Sequence, residues 1–156
     1  MTKFASAFGE KYQQASQSIR TKSFELGGHT FKVRIPLSRE IDDINTRIAA
    51  ISDEQLNARF VKMTEPFRTE KLLDGVVITD DDIIIDGRSS KDLVKSAITV
   101  EQRIVEYIRL LVPEQGDMSD ITYADIEEEF PFPIQIEIIT KITECIQPGY
   151  KDARKN

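Results

Sequence analysis

A glycine pair set between two alternating stretches constrains this chain more than any other feature. Phe24-Glu25-Leu26 leads into Gly27-Gly28, and His29-Thr30-Phe31-Lys32-Val33-Arg34-Ile35 follows. Two glycines accept the positive backbone angles of a two-residue hairpin turn, which most residues resist. Alternation with a period of two puts Phe31, Val33 and Ile35 on one face and Lys32 and Arg34 on the other. The segment is therefore predicted as a β-hairpin with one face turned to a core. Pro36 lacks the N–H that a ladder needs and ends the strand.

Helical spacing dominates what surrounds the hairpin. Before it, Phe4, Phe8, Tyr12, Ala15 and Ile19 recur at steps that share one helical face. Gly9 interrupts that stripe, and a helical glycine costs about 1 kcal/mol relative to alanine. Residues 1–21 are thus expected to be a loosely ordered amphipathic segment. After the hairpin, Ser38 can cap a helix carrying Ile41, Ile44, Ile48 and Ile51. Ser52 and Gln55 form a capping box for a second helix, with Leu56, Phe60 and Met63 on its apolar face until Pro66 disturbs it.

Val76-Val77-Ile78 and Ile83-Ile84-Ile85, separated by Thr79-Asp80-Asp81-Asp82 and closed by Asp86-Gly87, predict a second hairpin with an acidic loop. Ser89 and Asp92 set up another capping box, leading into a stripe of Val100, Ile104, Tyr107, Ile108 and Leu111 that stops at Pro113 and Gly116. Thr122 and Asp125 form a further capping pair, with Ile121 and Ile126 placed as a hydrophobic staple. That short helix breaks at Phe130-Pro131-Phe132-Pro133. Ile134, Ile138, Ile142 and Ile146 then suit a last helix, although Ile134, Ile136 and Ile138 also alternate as a strand would. Helix is preferred because the pattern runs to Ile146 before Pro148-Gly149, which is longer than most strands. The expected class is α+β, a mostly helical single domain over 22–149 with two short β-hairpins, followed by a flexible basic tail over 150–156.

Composition narrows the function. The 156 residues are 40% hydrophobic and 31% charged, enough for one core and far from the composition of disordered chains. A net charge of −6 disfavours nucleic acid and anionic membranes as partners. The first residues lack a signal-peptide pattern and no run approaches the ~20 apolar residues of a membrane span, so a cytoplasmic location is expected. A single cysteine, Cys145, leaves no internal disulfide.

The candidates for chemistry are few. Asp80, Asp81, Asp82 and Asp86 offer carboxylate oxygens, but the spacing departs from a calcium loop: Gly87 is eighth from Asp80, and Lys91 stands where the twelfth-position glutamate belongs. Solvated turn aspartates are the favoured reading. His29 is the only histidine and falls beside the glycine turn, where an exposed ring is expected. Cys145 falls among isoleucines as a small apolar residue without a neighbouring base. No nucleophile elbow, phosphate loop or dinucleotide fingerprint occurs. Paired carboxylates meet in space and not in sequence, so that chemistry is left open. The expectation is a protein that is not an enzyme, with no catalytic residues, no metal and no cofactor.

Surface features say more. Residues 1–35 hold Lys3, Lys11, Arg20, Lys22, Lys32 and Arg34 against Glu10 and Glu25. Residues 110–140 hold eight carboxylates and no Lys or Arg. A positive patch on one copy can meet a negative patch on the next, with Lys22, Lys32 and Arg34 facing Glu127, Glu128 and Glu129; the bland alternative is a solvated acidic surface. Two apolar features remain, the Phe4, Phe8, Tyr12 and Ile19 stripe and the Phe130-Phe132 turn. Either caps the core or docks on a partner, core packing being preferred for the Phe-Pro turn.

The segment from Phe24 to Pro36 followed by Glu40, the hairpin from Val76 to Gly87, and the acidic stretch ending in Glu129-Phe130-Pro131-Phe132-Pro133 together resemble the tail assembly chaperones of long-tailed (siphovirus-type) bacteriophages. The resemblance implies a non-catalytic protein that coats the aggregation-prone tape measure protein, recruits tail tube subunits, self-associates and is absent from the finished particle. It implies residence in the host cell cytoplasm and brings no catalytic residues with it. Three competing expectations are a structural tail or connector subunit, which would persist in the particle, a metal-dependent hydrolase built on Asp80 to Asp86, and nucleic-acid binding by the basic amino-terminal region.

Overall fold

The computed structural model describes residues 2–69 and 74–147, so the expected tail over 150–156 and the stop at Pro148-Gly149 lie outside the described residues. The architecture is α+β and mostly helical, with two small antiparallel sheets. The chain forms two compact units: Met1–Ile44 with Ile104–Asn156, and Asn45–Arg103.

In the first unit, α1 (Lys3–Ile19) begins where the Thr2 hydroxyl accepts the Ala5 N–H at 3.1 Å. Gly9, at φ 76° and ψ −168°, breaks it. The hairpin follows as β1 (Thr21–Leu26) and β2 (His29–Arg34), with Leu26 paired to His29 and Thr21 to Arg34. Gly27 and Gly28 both take positive φ, as a type I′ turn requires. The Phe24 and Phe31 rings stack across the ladder with centroids 5.3 Å apart, and Val33 is fully buried.

The other edge of β2 is occupied by a segment that periodicity had assigned to a helix. The helix α4 (Ser90–Ile108) ends early, and Leu111 pairs with Val33 in an antiparallel bridge. The Arg34 N–H donates to the Leu110 carbonyl at 2.9 Å, and the Val112 N–H to the Lys32 carbonyl at 2.8 Å. Leu111 is therefore strand-like. The apolar run continues past Ile108, and the two backbone bonds to an edge strand outweigh one more helical turn.

Both proline-linked expectations at the end of the chain resolve as helix. The capping pair forms in full at the start of α5 (Tyr123–Glu129): the Asp125 N–H donates to Thr122 Oγ1, and the Thr122 N–H donates to Asp125 Oδ2 at 2.9 Å. The final element is α6 (Phe132–Ile146), with Pro131 at its cap and Pro133 in its first turn, and it packs against β1. Its buried face is Gln135, Ile138, Ile142 and Ile146, so the strand alternative fails.

The segment α2 (Ser38–Ala49) contains Ser38 as its first residue, with Ile44 and Ile48 buried. Its start is fixed by Glu40, whose Oε2 accepts the Leu37 N–H at 2.7 Å and guanidinium N–H groups of Arg34 at 3.0 Å and Arg20 at 3.4 Å. The Leu37 N–H and the two guanidinium groups outweigh partial burial and hold the Glu40 carboxyl below its usual range.

The second unit is built from α3 (Asp53–Thr69), the sheet β3 (Val76–Ile78), β4 (Ile83–Ile85) and β5 (Arg88–Ser89), and α4 up to Arg103. Ser52 caps α3 through the Gln55 N–H at 3.1 Å. The helix runs on through Pro66 to Thr69 rather than stopping there. Met63 is 38% exposed and Thr64 fully buried, so the core face is rotated by one residue from the expected stripe. The Thr64 hydroxyl satisfies itself on the Phe60 carbonyl, which makes a polar residue tolerable there.

Asp86-Gly87 does more than close a hairpin. Both residues have positive φ and form a second tight turn that adds β5 to the sheet. Phe60, Ile83, Val94 and Ile98 form the core of this unit, with Ile51, Leu56, Val76 and Ile85 against it. Val94 and Ile98 extend the buried face of α4 one turn and more toward its start, and Val100 is only half-buried.

Candidate protein-binding surfaces

No residue of α1 is buried. Phe4 is 61%, Phe8 60% and Ile19 64% exposed. Three of the four residues in the expected stripe come together: ring centroids lie 4.7 Å apart for Phe4 and Phe8, 5.7 Å for Phe8 and Tyr12, and 5.6 Å for Phe4 and Tyr12. Ile19 sits at the far end of the helix, outside this ring cluster. An exposed aromatic cluster is an apolar surface with defined shape, the kind of feature that receives another chain.

The Phe-Pro turn divides. Phe130 is half-buried, and its carbonyl accepts the Gln135 side-chain amide at 2.8 Å. The Tyr123 hydroxyl donates to Gln135 Oε1 at 3.1 Å, so a buried glutamine ties α5 to α6. Sequence patterning had placed Ile134 on the buried face, yet Gln135 occupies it. No local sequence signal shows this, because the Tyr123 hydroxyl that meets Gln135 stands 12 residues away in the chain. Phe132, by contrast, is 52% exposed at the start of α6. Core packing thus holds for the first phenylalanine only.

The charged residues also separate. Arg34 is bonded to Glu40, a carboxylate it shares with Arg20. Lys22 and Lys32 are exposed and form no ion pair among the described residues; they line a groove of about 390 Å³ with Gln17, Ser23 and Val112. Glu127, Glu128 and Glu129 are exposed on α5 and likewise unpaired.

The acidic loop is organised rather than solvated at one position. Asp82 Oδ1 accepts the N–H of Ile83 at 2.7 Å and of Lys91 at 3.2 Å, while Oδ2 accepts the Ser89 hydroxyl. Ser89 in turn caps α4 by accepting the Asp92 N–H at 3.2 Å. Burial pushes the Asp82 carboxyl up, but the Ser89, Ile83 and Lys91 hydrogen bonds and the Lys91 charge together hold it below its usual range. Asp82 is the structural link between the β3–β4 loop and α4, a role turn statistics do not reveal.

The remaining candidates stand apart. His29 is exposed, and its ring meets Phe31 edge-on with centroids 4.6 Å apart. Cys145 is half-buried; burial pushes its thiol up, and Glu144 adds to this while Lys22 opposes it. Among the described residues no three His, Cys, Asp or Glu side chains converge as metal ligands would. A second groove, of about 570 Å³, is lined by Phe60, Val61, Ile78, Asp80, Asp81 and Lys91, with the Lys91 ammonium 5.5 Å from the Phe60 ring centroid. Within it the Thr79 hydroxyl lies 3.0 Å from the Asp82 carbonyl and 3.4 Å from Asp81 Oδ1. Among the described residues no helix is long and apolar enough to cross a membrane. No known family, curated protein or solved structure matches the chain.

Proposed function

We propose that this protein is a non-catalytic tail assembly chaperone of a long-tailed bacteriophage or prophage, which binds and solubilises the tape measure protein and recruits tail tube subunits in the host cytoplasm. The observation that carries the reading is α1, a helix of 17 residues with nothing buried and three clustered rings presented outward. Such a surface gains by covering apolar helix on another chain, where each ring removes a large apolar area from water. The chain's net charge of −6 supports the second half of the task, because net negative charge keeps a coated complex apart from its neighbours in solution.

Coverage of a long client by many small copies is multivalent. Weak individual contacts then sum to tight but reversible coating. The test is co-expression with the tape measure protein of the genome that carries this gene. The tape measure protein should move from the pellet to the soluble fraction with this chain bound, and mass spectrometry of mature particles should find the chain missing. A tape measure protein that stays insoluble, or a chain retained in the particle, overturns the reading.

A further inference from the structure

We propose that the outer edge of β3 accepts an extended cationic segment of a partner protein as a fourth strand of the second unit's sheet, with an apolar side chain of that segment seated in the groove beside Ile78. The site lies within the second unit, uses none of the α1 rings and does not rest on the function proposed above.

The sheet runs β3-β4-β5, so β3 is paired on one side only. Two bonds that flank it fix where its backbone groups point. The Asp86 N–H donates to the Gly75 carbonyl at 2.9 Å, and the Thr79 N–H donates to the Asp82 carbonyl at 2.9 Å. Hydrogen-bonded pairs alternate along an antiparallel ladder, so Val77 turns its backbone groups toward Ile84, while Val76 and Ile78 turn theirs away from β4. Among the described residues no backbone group pairs with that outer side. Edge strands are commonly blunted by a charged side chain, a proline or a bulge within the strand. The three residues of β3 include none of these, and Val77 and Ile78 are 57% and 47% exposed. An unblunted apolar edge is a template for strand addition.

Charge selects the occupant. Asp74 before β3 and Asp80 and Asp81 after it are exposed, and none forms an ion pair among the described residues. Lys91 is engaged within the unit, with its ammonium over the Phe60 ring and its charge acting on Asp82. A second copy of β3 would bring the same carboxylates against these, so like charge opposes pairing between copies, and it opposes an anionic strand equally. A segment that alternates Lys or Arg with Val or Ile complements both the edge and its ends. The groove of about 570 Å³ is lined by Phe60, Val61, Ile78 and Ile83, so an apolar side chain opposite Ile78 on the same face meets apolar partners there. Side chains on the other face run beside Val77, where lysine stems cover apolar surface and carry their ammonium groups toward the carboxylates.

The experiment is an NMR titration of the isotope-labelled full chain with the capped peptide Lys-Val-Lys-Val-Lys-Val-Lys. The Val76 and Ile78 amides should gain protection from hydrogen exchange, while the Val77 amide, already bonded to β4, should change little. The same peptide with Glu for Lys should bind on the order of tenfold more weakly or worse. Ile78→Pro removes an outward N–H and leaves the β4 ladder intact, so by circular dichroism it should fold, and it should bind the lysine peptide on the order of tenfold more weakly. Asp80→Asn with Asp81→Asn should weaken binding on the order of fivefold and reduce its salt dependence. Absence of binding, protection that misses Val76 and Ile78, equal binding of the glutamate peptide or of a helical peptide of the same charge, or unchanged affinity in a folded variant each overturns the proposal. Should Ile78→Pro fail to fold, the protection pattern and the aspartate variant decide. Protection of Val76 and Ile78 that rises with protein concentration and without peptide also overturns it, since the edge would then be filled by another copy.

Discussion

Phe4 and Tyr12 are eight residues apart in one helix, yet their ring centroids lie 5.6 Å from each other. In a straight helix that separation is about 12 Å along the axis. Gly9 accounts for the difference: its φ of 76° and ψ of −168° fall in a region that is essentially closed to residues with a Cβ. The break folds the first turns back so that Phe4 meets both Phe8 and Tyr12. Gly9→Ala should therefore straighten α1, since retaining the bend would cost roughly 1–3 kcal/mol. Nuclear Overhauser contacts between the Phe4 and Tyr12 rings should vanish and helical ellipticity should rise.

Asp82 should set part of the acid sensitivity of the second unit. Asp82→Asn leaves the Ser89 hydroxyl and the Lys91 N–H less well met and should cost about 1 kcal/mol near neutrality. The native carboxyl sits below its ordinary value, so the unfolded chain takes up the proton first as pH falls. The wild-type advantage is full above about pH 4 and is lost as pH drops through the lowered native value. Urea unfolding of both proteins along a pH series measures this directly.

Gln135 is the polar residue most worth removing. Gln135→Leu keeps the volume but strands the Phe130 carbonyl and the Tyr123 hydroxyl, and the expected loss is about 1–3 kcal/mol in chemical denaturation. Tyr123→Phe alone should cost less, because the Phe130 bond survives.

The two faces of α6 should respond unequally to truncation. Ile142→Ala, at a fully buried position, should cost about 2–5 kcal/mol. Ile136→Ala, at an exposed one, should stay within about 0.5 kcal/mol. Thermal unfolding of the pair checks the helical register.

Local chemistry was the legible part of this fold. The Gly27-Gly28 turn, the caps at Ser52, Ser89 and Thr122, and the helix at the second proline turn each depend on neighbours a few residues away, and each formed, with both bonds of a capping box shown at Thr122. What escaped depends on distant partners. Leu111 became a strand because β2 had an unfilled edge, and Thr64 displaced Met63 because its hydroxyl could turn back on its own helix. Among the surface candidates, the α1 stripe was visible as spacing. The closeness of Phe4 to Tyr12 was not, because it follows from one pair of backbone angles. Arg34 looked as free as Lys32 until Glu40, six residues on, was found beside it.

The central claim is that the ring cluster on α1 covers apolar helix on a client chain. Light scattering of the tape measure protein, diluted from denaturant into buffer with either wild type or the triple variant Phe4→Ala, Phe8→Ala, Tyr12→Ala, tests it most directly. The variant should fold as wild type does, because nothing in α1 is buried, and should fail to suppress the scattering that wild type suppresses. Equal suppression by both proteins would contradict the account.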